Sequence, residues 1–197
     1  MSRGKITLVR PPDAEGVSEA VVVVIDRGLD ALKAEVMGWA QMGVVVGIRQ
    51  DKGSVRDEDG GITVAGYAAV NEFGSSDGRV PERSFIRSTL DTNRDDYVER
   101  LDEVLNDAID ATLAAQVAGP GTLALEHGLG LLGMEAAGDV QATIRDLRDP
   151  PNSPRTLHPS VGGTNPEGKT STNPLIDTGR MRASIDSEVR RAGEGPS

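Results

Sequence analysis

Three stretches of this sequence hold residue types that could do chemistry. The first is Leu175-Ile176-Asp177-Thr178-Gly179, two apolar residues ahead of Asp-Thr-Gly. An aspartic-type hydrolase uses that pattern to bring two carboxylates together so that they share one proton. Its flap and second sheet need most of a domain after the motif. Here 18 residues follow Gly179, and Arg180 stands where a small residue is usual. Asp177-Thr178 reads better as a helix N-cap pair, and hydrolysis through Asp177 is the remote alternative. The second stretch, Gly128-Leu129-Gly130-Leu131-Leu132-Gly133, matches the glycine pattern of a dinucleotide loop. Such a loop must follow a strand and open a helix. TLALEH, just before it, is a poor strand, and the motif falls inside a helical repeat, so a glycine-tolerant packing face is expected. The third is the histidine pair, His127 and His158, which lacks metal-ligand spacing. With no cysteine, thiolate metal sites, disulfides and cysteine nucleophiles are excluded. No catalytic residue, cofactor or metal is expected, and the reading is that the chain is not an enzyme.

Composition points the same way. The chain has 197 residues, 37% hydrophobic and 3% aromatic, about the length of one domain with tails. Four of the five aromatics, Tyr67, Phe73, Phe85 and Tyr97, lie between 67 and 97; Trp39 is the fifth. That window should anchor the fold, with Phe73 and Phe85 buried. The net charge is −10, and duplex binding as the main task is disfavoured because it needs a basic face. Residues 1–150 carry 15 bases and 26 acids, whereas 151–197 carry 6 and 5. The N-terminus has no long apolar run and does not read as a signal peptide. The longest apolar run, Ala20–Ile25, is far short of the roughly 20 residues that cross a membrane. A soluble acidic protein is expected.

The elements follow from periodicity. Residues 1–17 are polar and read as an arm with a short strand at Ile6–Val9. Ala20–Ile25 is β-branched and reads as a buried strand. Leu29, Leu32, Val36 and Trp39 recur on one helical face, with Gly43 closing that helix. Val44–Ile48 reads as a second strand, and the charged, glycine-rich 49–61 as an exposed hairpin tip. Ile62–Val70 is ambiguous. Gly74–Arg79 reads as a turn, and Pro81 suits a first helical turn. A long helix is expected from about Ser84 or Thr92 to Ala115, its apolar face on Val98, Leu101, Leu105, Ala108, Thr112 and Ala115, with Val104, Ile109 and Leu113 widening it. Eight acids and two bases lie within 91–110, which reads as a solvated acidic face. A second helix, about Thr122–Arg148, buries Leu125, Leu129, Leu132, Ala136, Val140, Ile144 and Leu147. Of the 24 residues 151–174, 18 are Pro, Gly, Ser, Thr or Asn, a composition that cannot order itself alone. A short helix to about Ser184 and a strand near Ile185–Val189 would end the fold. The organisation expected is an arm (1–17), an α+β core (18–150), a polar loop (151–174) and a C-terminal helix–strand completing the core (175–197). Its small, mostly antiparallel sheet packs against a long helix and a second helix.

Two blocks together resemble a known family. Residues Tyr67-Ala68-Ala69-Val70-Asn71-Glu72-Phe73-Gly74 with Val80-Pro81-Glu82-Arg83-Ser84-Phe85-Ile86-Arg87, and Asn173-Pro174-Leu175-Ile176-Asp177-Thr178-Gly179-Arg180-Met181-Arg182-Ala183-Ser184-Ile185, are similar to blocks of the neck and tail-completion proteins of HK97-type tailed phages. Pro154-Arg155-Thr156 resembles the segment that often precedes the second block. Ser84 departs from a frequent proline. The resemblance implies an α+β structural virion protein without enzymatic activity. It implies subunits forming a hexameric ring in the neck of the virion, assembled in the host cytoplasm. The implied partners are other copies of the chain, the portal or head-completion connector, and the tail terminator or tail tube protein. Genomic DNA would pass through the lumen without sequence-specific binding, and no membrane is implied. A minor tail protein at the end of the tail tube is the alternative. The expected motif residues are Tyr67, Glu72, Phe73, Gly74, Pro81, Phe85, Leu175, Asp177, Thr178 and Gly179. The expected subunit interface draws on Arg83, Arg87, Arg180 and Arg182, with Asp95, Asp96 and Glu99 as acidic counterparts. Gly74 is expected to take a positive φ.

Overall fold

The computed structural model describes residues 28–55, 61–157 and 171–193. In chain order these form α1 (Leu29–Trp39), β1 (Met42–Ile48), α2 (Gln50–Gly53), α3 (Val64–Phe73), α4 (Arg87–Thr92), α5 (Arg94–Ala115), α6 (Pro120–Asp146), α7 (Pro154–Leu157), α8 (Arg180–Ala183) and β2 (Ile185–Arg191). The class is α+β, with a small antiparallel sheet against a long helix. The expected N-terminal arm, the strands at 6–9 and 20–25, and residues 158–170 of the polar loop lie outside the described residues. The chain divides into two compact units. One contains described residues 28–41 and 102–127; the other contains 42–55, 61–101, 128–157 and 171–193.

In the second unit, β1 and β2 pair antiparallel, from Met42 opposite Arg191 to Ile48 opposite Ile185. The β-branched run Val44–Val46 suits a pleated surface. The expected hairpin at 49–61 does not form around β1. Its partner is β2, and the segment that follows is helix α3, opened by Thr63, whose Oγ1 accepts from Gly66 N at 3.1 Å. The alanines of 65–69 favour that helix over a strand.

Helix α6 lies on this sheet. Gly133 faces Ser187 and Val44 so closely that a Cβ there would come within 2.8 Å of Ser187 Oγ and 2.9 Å of Val44 Cγ1. Gln141 Nε2 donates to Ile185 O at 3.1 Å. The core between them is Ala68, Phe85, Ala137, Val140, Ile144, Leu175, Met181 and Ile185, with Val46, Ile48, Tyr67 and Ile176 at its margin. The opening of α5 is tied to α6 by Tyr97, whose hydroxyl donates to Asp139 at 2.8 Å. Burial and the Asp139 carboxylate push the phenol up to about 12.

The first unit is built differently from the expected α1 face. Trp39 is buried, but Leu29 and Val36 are 53% and 44% exposed, and Glu35 is buried instead. Glu35 Oε1 accepts from Gly119 N at 2.6 Å; Oε2 accepts from Thr122 N at 2.5 Å and from Thr122 Oγ1 at 2.8 Å. Trp39 Nε1 donates to Thr122 Oγ1 at 2.9 Å. The carboxylate therefore satisfies open N–H groups of the first turn of α6, where an anion is favoured. Val104, Ala108, Thr112 and Leu125 are buried in this unit.

Four further expectations are corrected. Helix α1 ends at Trp39 with Ala40 as its cap, so Gly43 lies inside β1. Pro81 sits in an irregular stretch six residues before α4 begins, not in a first helical turn. The helix expected from about 84 or 92 is interrupted at Asn93, the C-cap of α4. Its buried face is Val104, Ala108 and Thr112, while Val98 is 51% exposed. Of the seven expected core positions of the second helix, Leu125, Leu129, Leu132, Ala136, Val140 and Ile144 are buried, while Leu147 lies just past the end of α6 and is partly buried against the core.

Gly133→Ala is expected to destabilise the fold by about 1–3 kcal/mol through overpacking, outweighing the gain of roughly 1 kcal/mol in helix propensity. Chemical denaturation of the variant checks this. A more stable variant would show that α6 does not press on the sheet at this point.

Candidate functional site

Of the residues singled out in the sequence, Glu72, Arg83, Phe85 and Leu175 are buried in the second unit, where the two blocks meet. Helix α3 runs from Thr63 and ends at Gly74, whose φ of 78° needs a residue without a Cβ. Just before that end, Glu72 is 4% exposed. One of its oxygens, Oε2, accepts from Phe85 N at 2.7 Å and Ile86 N at 2.9 Å. The other, Oε1, accepts from Ser84 Oγ at 2.9 Å, Arg87 N at 3.1 Å and Arg87 Nε at 3.1 Å. This carboxylate caps the N-terminus of α4 from a distance in sequence, as Glu35 caps α6. Burial alone would push both carboxyls up; the hydrogen bonds outweigh it and hold both below the ordinary 4.5.

The capped loop delivers Phe85 to the core, where it is fully buried. Arg83, also buried, extends the other way. Its Nε donates to Pro150 O at 2.7 Å, its Nη2 to Pro151 O at 2.8 Å and its Nη1 to Asn71 Oδ1 at 3.3 Å. Carbonyls, not acids, receive this cation. It fastens the loop to the chain that leaves α6, which ends at Asp146.

The second block docks at the same end of α6. Asn173 is buried; its Nδ2 donates to Arg145 O at 2.7 Å and Ile144 O at 3.2 Å. Its Oδ1 accepts from Leu175 N at 2.8 Å and Ile176 N at 3.1 Å. One amide thus satisfies terminal carbonyls of a helix and turns the chain so that Leu175 enters the core. Gly179, at φ 79°, starts α8, which buries Met181 ahead of β2.

The remaining residues fall as follows. Tyr67 borders the core, and Leu175 is within it. Phe73 is 64% exposed, contrary to its expected burial; the Arg87 guanidinium lies 4.7 Å from its ring centroid. It sits one position after Glu72 on α3, and the helix turns only one of the two inward. Arg87 also pairs with Glu82 at 2.7 Å and with Glu72 at 3.1 Å, so its acids lie within the subunit. Asp177 and Thr178 are exposed; Gly179, not Asp177, is the N-cap of α8. Pro81, Arg180, Arg182, Asp95, Asp96 and Glu99 are exposed. His127 is exposed on α6, and His158 lies outside the described residues. Gly128–Gly133 lies within α6, not at the start of a helix. Among the described residues there is no group of three His, Asp or Glu side chains that could hold a metal, and no helix is long and apolar enough to cross a membrane. An open groove of about 490 Å³ between α4 and α6 is lined by Ser88, Thr89, Asn93, Asp139, Thr143 and Asp146, among others. Reading the residues alone assigned no role to Asn173, Glu35 or Ser84. For Glu72 the available signal was a lone acid amid the apolar residues of 67–73.

The two carboxylates also set a pH response. Folded-state pKa values below the ordinary value stabilise the fold above that value, and the contribution is lost as pH falls through the folded pKa. Stability is therefore expected to fall below about pH 4, and Glu72→Gln is expected to flatten that fall. At neutral pH, Glu72→Ala is expected to cost about 3–5 kcal/mol, because it strands the backbone N–H groups of Phe85–Arg87 and the buried partners. Denaturation curves across pH check both; an unchanged acid limb in Glu72→Gln would contradict the assignment.

Comparison with known proteins finds no matching family model, no matching curated protein and no matching solved structure.

Proposed function

We propose that this chain is a structural protein of the tailed-phage neck. Copies of it form a ring that joins the DNA-filled head to the tail and surrounds the DNA path. The observation that carries this reading is the convergence of the two resembling blocks. Glu72, Arg83 and Phe85 come from the first, and Asn173, Leu175 and Met181 from the second. They are buried in one unit and anchored at one end of α6. Residues matched by chance would have no reason to share a core.

The surface chemistry suits the same role. The opening of α5 exposes Asp95, Asp96 and Glu99, while α8 exposes Arg180 and Arg182. Opposite charges on separate elements of one subunit allow a head-to-tail contact between neighbours, the kind that closes a ring. An acidic lumen would let DNA slide past without adhering.

The test is electron microscopy of lysates from a phage with this gene disrupted. Full heads and finished tails that remain apart are the expected result. Normal infectious particles would refute the reading. Arg180→Glu with Arg182→Glu is expected to abolish ring assembly of the purified protein, read by sedimentation velocity; intact rings would remove these arginines from the interface.

A further inference from the structure

The two strands of the sheet differ in kind. β2 carries four charged side chains among its seven residues: Asp186, Glu188, Arg190 and Arg191. Charges of this sort are how a strand that ends a sheet avoids further pairing. β1, Met42-Gly43-Val44-Val45-Val46-Gly47-Ile48, carries none. Its uncharged, β-branched centre has the character of an interior strand, paired on both sides. Among the described residues, however, β1 has one neighbour, β2. A strand bonded on one side directs its other backbone N–H and C=O groups to an open edge, and such groups pair where a partner is within reach.

We propose that β1 is the middle strand of three, and that Ala20–Ile25 of the same chain docks on its open edge. Three observations select this occupant. The first is composition. Ala20-Val21-Val22-Val23-Val24-Ile25 is uncharged and β-branched, like β1 itself. Outside the described residues the chain holds one other apolar stretch, Ile6–Val9, which is shorter and flanked by Lys5 and Arg10. The second is length. Six residues and seven span about 20 Å and 23 Å as strands, so the run covers nearly all of the edge. The third is the tether. Residues 26–41 join the run to β1, and α1 lies within them. A connection of a dozen or more residues that includes a helix suits a parallel pair, whereas a hairpin needs a few residues. A tether of that length also holds the run at an effective concentration on the order of millimolar. A separate partner would have to compete with it.

The docked run would hide the one uncharged edge of the sheet and leave the charged β2 at its border. This inference is independent of the neck reading.

The test uses the full chain, which has no cysteine of its own. Val45 stands at the middle of β1 and is 46% exposed. Val22 and Val23 stand at the middle of the run, and a strand turns consecutive side chains to opposite faces. Val45→Cys is combined with Val22→Cys in one variant and with Val23→Cys in another. Under mild oxidation, one of the two is expected to close a disulfide within a single chain and the other is not. Amide hydrogen exchange supplies a second measurement. Val22→Pro is expected to speed exchange of the β1 amides that do not bond β2 at least tenfold, whereas Leu8→Pro leaves them unchanged. Failure of both cysteine pairs to crosslink would overturn the proposal. So would a disulfide that forms only between chains, which would assign the edge to a second copy. Faster exchange in Leu8→Pro than in Val22→Pro would overturn it as well, and would assign the edge to Ile6–Val9.

Discussion

One buried carboxylate holds the second unit together. Glu72 accepts the backbone N–H groups of three consecutive residues, Phe85, Ile86 and Arg87. Without it, those donors would lie against the core with no partner, and the loop would have no reason to turn there. With it, the loop is fixed tightly enough to seat Phe85 among Ala68, Val140 and Ile144. The charge is tolerated because hydrogen bonds replace its hydration. Ser84 adds its hydroxyl to the same carboxylate.

The first unit repeats the solution. Glu35 points inward and caps the start of α6 through Gly119 and Thr122. In both cases a helix supplies an acid to the N-terminus of a later helix, where the backbone dipoles favour negative charge. Arg83 and Asn173 do the complementary work with carbonyls, at and just beyond the C-terminal end of α6. Helix ends are where backbone groups lack partners, and in this chain side chains distant in sequence fill them.

This explains which parts of the structure were legible in the sequence. Local periodicity was enough to place α1, though not to find its buried face, and it was enough for the buried face of α6 and for the final helix and strand, because these depend on residues within a few turns of one another. It failed where the decisive partner is remote. A glutamate flanked by apolar residues on α1 reads as exposed until Gly119 and Thr122 are brought to it. Phe73 reads as core because it is aromatic, yet its neighbour Glu72 takes the inward direction. The pairing of β1 with β2 left no local trace, since the hydrophobic pattern marks a strand and not its partner. The interrupted helix at Asn93 was similarly hidden, as asparagine is tolerated in helices and only its tertiary setting makes it a cap. The site was legible as two blocks of residues; that they meet at one end of α6 required the fold.

The register of the sheet has a consequence for how the chain is made. Residues 49–184 separate the end of β1 from the beginning of β2. At ordinary translation speeds β1 waits about 7–30 s after its own synthesis before β2 emerges. Throughout that interval the Val44–Val46 edge has no described strand beside it, and exposed strand edges invite pairing with other chains. The sheet can close only once β2 has been made.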